Sequence, residues 1–338
     1  MKMIVVLYWI LVIIAGVVIF GFYQKATNAV CKSKKNLTGR TAIVTGGTNG
    51  MGLRIATDFA SRGARVIVAC PFIDEGTQGR KTIVDKTGNN DVVFKMLDLA
   101  SFDSVRCFAK EILDSEDRLD LLINNAGIAV ARVRRSLTMD GLNLLMQVNY
   151  FGHFLLTLLL LPLMIKTGTP LEPGRIVNIS SVLHFMAGTV NLDHINSRLY
   201  CNTFKLYGNS KLYLILFAHE LSKKLKGKNV VINSVDPGAV GTNIFNQYWG
   251  GATGSIITYI FKNCFKTPWQ GAQTAIHVAL DSEAGKVSGE LFKNCKLARA
   301  KSDAYDDMAS AMLWAESVRL VKLDLDEAEF LTSSAYYH

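Results

Sequence analysis

The sequence lacks the closely spaced ligands that metal sites and redox motifs require. Its six cysteines lie far apart and form no Cys-x-x-Cys pair, and its six histidines make no cluster. We therefore predict no metal site. A cytoplasmic domain would keep such cysteines reduced.

The sequence also lacks a basic stripe interleaved with aromatics, internal repeats and low-complexity segments. The net charge of +9 could suggest a nucleic-acid partner. However, basic residues crowd into one short stretch and are elsewhere scattered among acids. This stretch contains Lys25, Lys32, Lys34, Lys35 and Arg40. We predict no nucleic-acid binding.

One apolar run, Met3–Phe22, is uncharged and about long enough to cross a bilayer as a helix. A cleavable signal peptide would have a shorter apolar region, roughly 7–15 residues, and a clearer small-x-small site after it. We expect an uncleaved transmembrane anchor over residues 1–24 and a basic linker over 25–39. One folded domain over 40–325 and a tail over 326–338 should follow.

The lysines after this anchor predict its orientation. Only Lys2 and the amino terminus precede it, so the folded domain should face the cytoplasm, and we expect the endoplasmic reticulum membrane. A second apolar run, Phe154–Ile165, is too short to span and contains Pro162. We interpret it as a buried or dimer-facing helix, which leaves a homodimer open.

Beyond the linker, segments typical of strands and helices alternate. Short apolar and β-branched runs indicate strands at Thr41–Thr45, Val66–Ala69, Val92–Leu97, Leu119–Ile123, Arg175–Ile179 and Val230–Val235, with another near Leu291. Helical periodicity occupies Phe102–Leu113, Gly141–Ile165, Phe204–Leu225 and Pro268–Leu280. This alternation predicts an α/β fold, a doubly wound parallel sheet of the Rossmann type, in a single domain.

The first strand breaks into a glycine-spaced turn, TGGTNGMG, before a helix begins. Gly46 permits a backbone conformation that other residues resist, Gly50 allows close approach of a pyrophosphate, and Gly52 lets helix and strand pack closely. Free amides at the helix start would face the anion. An ordinary strand-to-helix turn is the alternative, because this spacing alone is a weak signal.

Polar or glycine residues follow each later strand. They are Asp98 after the third, Asn124-Asn125-Ala126-Gly127 after the fourth, Ser180-Ser181 after the fifth and Asp236-Pro237-Gly238 after the sixth. Ligands of a doubly wound sheet bind outside the carboxyl ends of its strands, so these residues should share one edge. Each has a structural alternative: Asp98 could cap a helix, and Pro237-Gly238 could simply turn the chain.

Tyr207 and Lys211 are four residues apart in a predicted helix and therefore share one face. A nearby cation favours the phenolate, so we expect Lys211 to lower the pKa of Tyr207 and make it a usable acid or base. Alone, such a pair is most often a solvated helix face.

Together these motifs resemble the short-chain dehydrogenase/reductase family from about Gly39 to Leu323. In order, they are Thr45-Gly46-x-x-x-Gly50-x-Gly52, Asp98-Leu99, Asn124-Asn125-Ala126-Gly127, Ser181, Tyr207-x-x-x-Lys211 and Pro237-Gly238. Finer features, at Val148–Thr157, Arg175–Ser181 and Lys266–Ala272, are similar to its membrane-anchored retinol dehydrogenase branch.

The resemblance implies hydride transfer between a nicotinamide cofactor and an apolar alcohol or carbonyl, such as a retinoid, a steroid or a long-chain aldehyde. It implies Tyr207 as general acid or base, Lys211 as its cation and ribose ligand, Ser181 on the reacting oxygen and Asn149 in the proton path. The residues that it assigns to the cofactor are Gly46, Thr48, Asn49, Gly50, Met51, Gly52, Arg54, Asp98, Leu99, Asn125, Ala126, Gly127, Tyr207, Lys211, Pro237, Gly238 and Thr242. Asn149 and Thr242 could instead have only structural roles, capping a helix or packing in the core.

A catalytically idle nucleotide-binding scaffold of the same fold is the alternative function. A decayed enzyme should have lost at least one of the four catalytic residues, and all four are present. This favours the enzyme.

Cofactor choice depends on the end of the second strand, Ala69-Cys70-Pro71. Many retinol dehydrogenases place an arginine after the cysteine, where it would bind the 2′-phosphate of NADP. No acid stands at Ala69 or Cys70 to hold a free ribose hydroxyl, as NAD enzymes prefer. Arg54 could supply the cation, so we expect NADP, with NAD as the alternative.

The stretch Thr242–Thr267 is rich in aromatic residues and interrupted by glycines. It lies where family members place a mobile cover over the substrate. We expect it to line an apolar pocket or touch the bilayer, and an ordinary packed helix is the alternative.

Overall fold

The computed structural model describes residues 2–129, 137–188, 203–241 and 263–332. Its strands are β1 Thr41–Thr45, β2 Arg65–Cys70, β3 Val92–Met96, β4 Leu121–Asn124, β5 Gly174–Ile179, β6 Val230–Asp236, β7 Leu291–Lys293 and β8 Lys296–Ala298. Its α-helices are α1 Lys2–Ala26, α2 Gly50–Ser61, α3 Ile73–Thr87, α4 Phe102–Ser115, α5 Leu144–Thr167, α6 Thr203–Lys224, α7 Pro268–Leu280, α8 Asp307–Leu320 and α9 Leu325–Thr332.

The described strands form one sheet in the order β3-β2-β1-β4-β5-β6-β7-β8. Neighbours pair in parallel from β3 to β7, and only β8 pairs antiparallel, on β7. The predicted doubly wound parallel sheet is confirmed. The strand order reverses between β1 and β4, which opens a crevice at the carboxyl ends of these two strands.

Two apolar cores cover the two faces of the sheet. One contains Phe59 of α2, Ile83 of α3 and Ile276 of α7. The other contains side chains of α4, α5, α6, α8 and α9, among them Phe154 and Trp314. Helices on both faces bury the central strands β1, β4 and β5 completely, as this class of sheet requires, while the edge strand β3 is only partly buried.

Helix α5 is the most apolar of the core helices. Its residues from Leu144 to Thr167 are long and apolar enough to cross a membrane, but 83% of the most apolar window is buried inside the protein. The expectation of a buried helix at Phe154–Ile165 is therefore confirmed. The helix contains a π-helical segment, Gln147–Phe151, where Gly152 N–H donates to the carbonyl of Gln147.

Helix α1 and the linker after it contact the folded domain. Large apolar side chains of α1, among them Trp9 and Phe20, are exposed. Its last turn lies against the domain, where Lys25 Nζ donates to the Asn263 carbonyl at 3.0 Å. The linker then runs along α7: Cys31 N–H donates to Gln273 Oε1, and Ser33 Oγ donates to the Leu280 carbonyl. It thus leads the chain from the carboxyl edge of the sheet to the edge where β1 begins.

Three of these helices and strands were not predicted from the sequence: helix α3, strand β8 and helix α9, which occupies the first part of the expected tail. Boundaries also differ by a few residues. Helix α2 begins at Gly50 rather than Gly52, because Asn49 caps it by accepting a hydrogen bond from Gly50 N–H at 2.7 Å. Strand β4 begins at Leu121 rather than Leu119.

Candidate active site

The glycine turn between β1 and α2 has the backbone that its sequence predicts. Gly46 and Gly50 have φ angles of +62° and +53°, a region that favours glycine. A Cβ on Gly52 would lie 2.2 Å from the Gly46 carbonyl oxygen, so only glycine fits where α2 meets the turn. The turn and the amino end of α2 together leave backbone amides at the crevice.

The exits of β1 and β4 are held together by hydrogen bonds. Asn125 Nδ2 donates to the Thr45 carbonyl at 2.8 Å. In return, the backbone amides of Asn125 and Ala126 donate to Thr45 Oγ1 at 2.9 and 3.0 Å. These contacts fix the position of the glycine turn relative to the centre of the sheet.

The other predicted dinucleotide residues lie around this turn. Thr48 packs against α3, where a Cβ on Gly79 would lie 2.8 Å from Thr48 Cα. Met51 lies against Gly271 at the start of α7. Arg54, in α2, is half-buried and has no hydrogen bond or ion pair to another described residue.

Asp98 and Leu99 follow β3 at the same edge. Asp98 Oδ1 accepts a hydrogen bond from Ala100 N–H at 2.9 Å, so this carboxylate orders its own turn. Leu99 is buried in the core and contacts Gly152 of α5. Gly152 leaves the room that Leu99 occupies, because a Cβ there would lie 2.7 Å from the Leu99 carbonyl oxygen.

Tyr207, Lys211 and Ser181 come together beyond the end of β5. The Tyr207 phenol hydrogen-bonds the Ser181 side chain. Lys211 Nζ donates to the Ile179 carbonyl at 3.0 Å and lies 5.6 Å from the centre of the Tyr207 ring. Both members of the pair are buried, at 8% and 3% exposure, so the solvated helix face is excluded.

Burial sets the charge states of this pair. It lowers the pKa of Lys211 to about 8, because the ammonium is desolvated. It raises the pKa of Tyr207 to about 12, although the hydrogen bond to Ser181 opposes this. The expected lowering of the Tyr207 pKa by Lys211 is therefore wrong for this structure: desolvation of the phenolate raises this pKa, and the charge of Asp236 adds to the rise. The hydrogen bond of Lys211 goes to the Ile179 carbonyl instead.

Asn149 lies in the π-helical segment of α5, close to Lys211. Its Oδ1 accepts from Ile128 N–H at 2.8 Å, and its Nδ2 donates to the Ile128 carbonyl and to Ser210 Oγ at 3.0 and 3.1 Å. Asn149 Oδ1 and Lys211 Nζ would each lie 3.4 Å from a Cβ placed on Gly127. The missing side chain at Gly127 thus leaves both polar groups open to a common space.

His153, one turn after Asn149, was not predicted as a site residue. It is fully buried between Thr45 and Asn149, with Nε2 2.9 Å from Thr45 Oγ1 and Nδ1 3.3 Å from the Asn149 carbonyl. Burial, helped by the charge of Lys211, lowers its pKa to about 3, so its ring is neutral. The ring links the glycine turn to the segment that contains Asn149. The sequence feature that could have indicated His153 is its position four residues after Asn149, on the same face of the helix.

The turn after β6 is reinforced by Asp236, which the sequence places at this edge, and by Lys293 and Asn294, which were not predicted. Asp236 Oδ1 accepts from Gly238 N–H at 2.9 Å, and its Oδ2 pairs with Lys293 Nζ at 2.9 Å. The buried Lys266 donates to Asn294 Oδ1 at 2.8 Å and contacts Gly238. Pro237 and Gly238 are thus placed at the carboxyl edge, and Thr242 lies outside the described residues.

The predicted cover, Thr242–Thr267, lies mostly outside the described residues, which include only 263–267 of it. Among the described residues no group of three His, Cys, Asp or Glu side chains is placed to hold a metal ion.

A crevice at a Rossmann-type switch point, with a glycine turn on one side and a buried Tyr/Lys pair beside a serine on the other, defines a dinucleotide-dependent oxidoreductase. Residues 40–251 match the model of the short chain dehydrogenase family, and the chain belongs to that family. It is accordingly an NAD(P)-dependent alcohol dehydrogenase or carbonyl reductase of small molecules.

The chain is similar to retinol dehydrogenase 13 of Homo sapiens, at 39% identity over 88% of this chain and 89% of that protein. It is similar to retinol dehydrogenase 11 of Mus musculus, at 38% identity over 89% of this chain and 92% of that protein. Its fold is similar to the RhlG/NADP active-site complex of Pseudomonas aeruginosa, with a TM-score of 0.61 and 25% identity over 76% of this chain and 95% of that chain.

Proposed function

We propose that Tyr207 is the general acid and base of an oxidoreductase acting on an apolar alcohol or carbonyl, retinoid-like in chemistry. The observation that carries the proposal is the group formed at the carboxyl edge of the sheet by the buried Tyr207, Lys211 and Asn149 and the partly exposed Ser181. The retinol dehydrogenases among its relatives support the substrate class.

The crevice fits a nicotinamide dinucleotide. Positive φ angles at Gly46 and Gly50, and the space that a Cβ on Gly52 would fill, leave a cradle for the pyrophosphate. Asp98, Leu99, Asn125 and Ala126 would lie along the adenosine half, and Lys211, Pro237 and Gly238 at the nicotinamide half. When bound, the nicotinamide supplies or accepts the hydride.

Tyr207 would move the proton on the reacting oxygen. In the reductive direction the phenol gives its proton to the carbonyl oxygen, which ends as the hydroxyl of an alcohol, and Ser181 holds that oxygen by a hydrogen bond while it carries negative charge. Its raised pKa keeps it protonated at neutral pH, as a proton donor requires.

Lys211 would replace the proton that Tyr207 gives up. With a pKa of about 8, it holds a proton at neutral pH and can release one at little cost. Asn149, held by Ile128, would keep the path from solvent to Lys211 ordered. An idle scaffold is not favoured, since such a scaffold has no need for a buried ammonium beside a buried phenol.

We propose NADP as the preferred cofactor. β2 ends without an acid at Ala69 or Cys70, and Arg54 has no described partner of its own, so its charge is available to a 2′-phosphate.

We also propose that α1 anchors the enzyme in the endoplasmic reticulum membrane, with the folded domain in the cytoplasm. Its 25 residues would reach about 37 Å, enough for a hydrocarbon core of about 30 Å. Exposed apolar residues along α1, including Ile4, Trp9 and Ile19, support a lipid environment.

Purified full-length protein tests the function. Turnover of NADPH and NADH should be compared with retinal, a steroid ketone and a fatty aldehyde side by side. We expect oxidation of NADPH with at least one of these apolar carbonyls. Absence of turnover with all three, while the protein binds NADPH, would instead support the scaffold.

A further inference from the structure

A second cavity lies at the opposite edge of the sheet from the crevice. Its volume is about 540 Å³, within the range of roughly 300–1,000 Å³ typical of small-molecule pockets. Its charged lining consists of four cationic and two acidic side chains, Lys32, Lys35, Arg175, Lys286, Glu172 and Asp281. The lining is therefore electropositive.

Arg175, near the amino end of β5, is the buried member of this set, with 4% exposure. Its Nε and Nη1 have no hydrogen-bond partner. Its guanidinium lies against Gly285, where a Cβ would come within 1.9 Å of Nη2. A guanidinium stays charged in proteins, so a buried cation lines the cavity, and its unpartnered Nε and Nη1 are themselves enclosed by protein.

The two carboxylates of the lining are engaged elsewhere. Glu172 pairs with Lys35. Asp281 Oδ1 accepts from the backbone N–H groups of Glu283 and Ala284 at 2.9 and 3.1 Å. Neither carboxylate hydrogen-bonds Arg175. An anion in the cavity would neutralise the charge of Arg175, which water would not do.

We propose that this cavity is a binding site for a phosphate-bearing anion, held by Arg175 and by the ammonium groups of Lys32 and Lys286. Lys286 also pairs with the exposed Glu283, at 2.6 Å. Phosphate matches the site because its oxygens accept N–H donors of a guanidinium, and lysines add point charges. The ligand carries its phosphate either as a free metabolite or as a lipid headgroup.

The path of the chain favours the free metabolite. Arg175 and Ser181 are six positions apart along extended chain, so the cavity lies about 20 Å from the catalytic edge. Helix α1 meets the domain at that catalytic edge, through Gln270 Nε2 and the Lys25 carbonyl. The cavity is therefore on the side of the domain away from α1.

The test uses the full-length chain in neutral detergent, saturated with NADPH so that the crevice is occupied. Thermal unfolding is measured against inorganic phosphate at constant ionic strength, and separately in micelles with and without phosphatidic acid. We expect phosphate to raise the unfolding midpoint, since a ligand that binds only the folded state stabilises it. A response to phosphatidic acid alone would also support the site and assign it to a headgroup.

Variants distinguish phosphate binding in this cavity from a general stabilisation of the protein by salt. Arg175→Met should fold, because it replaces an unpaired buried cation by an apolar side chain, and should weaken phosphate binding roughly tenfold or more. Lys286→Gln, exposed and safe for folding, should weaken it less, and Lys296→Gln on β8 should leave it unchanged. No response to either anion, or a response that survives in Arg175→Met, would overturn the proposal.

Discussion

Lys211 Nζ donates to the backbone carbonyl of Ile179 at 3.0 Å, and this bond ties helix α6 to the last residue of β5. The ammonium is thereby fixed at the sheet edge, 5.6 Å from the centre of the Tyr207 ring. The lysine does not depend on the tyrosine for its position. The two residues can therefore be tested separately.

Tyr207→Phe should keep the fold and NADPH binding while lowering kcat by about 10²–10⁴, because only the proton donor is removed. Initial rates with a retinoid or aldehyde and NADPH titrations measure the two effects. Tyr150→Phe is a matched control: it removes another buried phenol, one that bonds Ser317 at 2.8 Å outside the site, and should retain turnover. Substantial activity in Tyr207→Phe would exclude Tyr207 as the proton donor.

Lys211 should make stability depend on pH. Burial lowers its pKa from 10.5 to about 8, so between these values the unfolded chain holds a proton that the folded chain has lost. The free energy of unfolding should therefore rise with pH over this window, relative to Lys211→Met, which has no such proton. Urea unfolding of both proteins without cofactor measures the difference. If the difference in free energy of unfolding between the two proteins stays constant or falls as pH rises, the lowered pKa of the buried Lys211 would be contradicted.

Gly52→Ala should damage both the turn and the cofactor site. The added Cβ would lie 2.2 Å from the Gly46 oxygen and 2.5 Å from Asn125 Nδ2, which we expect to cost about 1–3 kcal/mol and to weaken NADPH binding. Gly174→Ala is the control, since its Cβ would meet nothing closer than 3.4 Å. Equal stability and NADPH affinity in the two variants would show that the turn adjusts freely.

Arg54→Glu should lower kcat/KM for NADPH more than for NADH. Loss of a charge-assisted hydrogen bond to a 2′-phosphate predicts roughly a tenfold or greater change in the NADPH/NADH ratio. Steady-state kinetics at limiting cofactor measure this ratio, and Lys226→Glu, on an exposed turn, controls for the change of charge. A wild-type preference for NADH, or an unchanged ratio, would remove Arg54 from the phosphate site.

Protease added to intact microsomes should digest the folded domain, because the lysines after α1 predict a cytoplasmic position. Detergent-permeabilised microsomes provide the control for cleavage. The Asn36-Leu37-Thr38 sequon should carry no sugar in this orientation, although its closeness to the bilayer makes the protease result the stronger test. Full protection of the domain would reverse the orientation.

The sequence predicts the sheet well because its strands are continuous apolar runs, as burial on both faces demands. It does not reveal α3, whose residues IDEGTQGRKTIVDKT are mostly polar. Gly76 lowers the helical propensity of this segment, yet a Cβ there would lie 2.1 Å from the Phe94 ring. The glycine thus serves packing, which only the folded chain shows.

The candidate site likewise contains features that the sequence predicts and features that only the folded structure shows. A spacing of four places Tyr207 and Lys211 on one face, but their pKa values depend on burial by distant parts of the chain. The Ile179 carbonyl, His153 and the Asp236–Lys293 pair are equally invisible to motif spacing. The Ile179 carbonyl and the Asp236–Lys293 pair lie near the site because the order of the strands in the sheet places β5, β6 and β7 side by side.

The π-helical segment at Gln147–Phe151 has a consequence for insertions and deletions. A π-helical turn holds one residue more than an α-helical turn, so α5 contains one residue in excess of a regular helix. That turn absorbs the extra residue locally, so the part of the helix before it keeps its orientation relative to the apolar half from Phe154 onward. Deleting one residue there would restore regular bonding without rotating either half, whereas deleting one from the regular turns after Phe154 would rotate everything beyond it by about 100°. We infer that this helix can lose a residue without repacking the core only at the segment that positions Asn149, where the loss would act on the site instead.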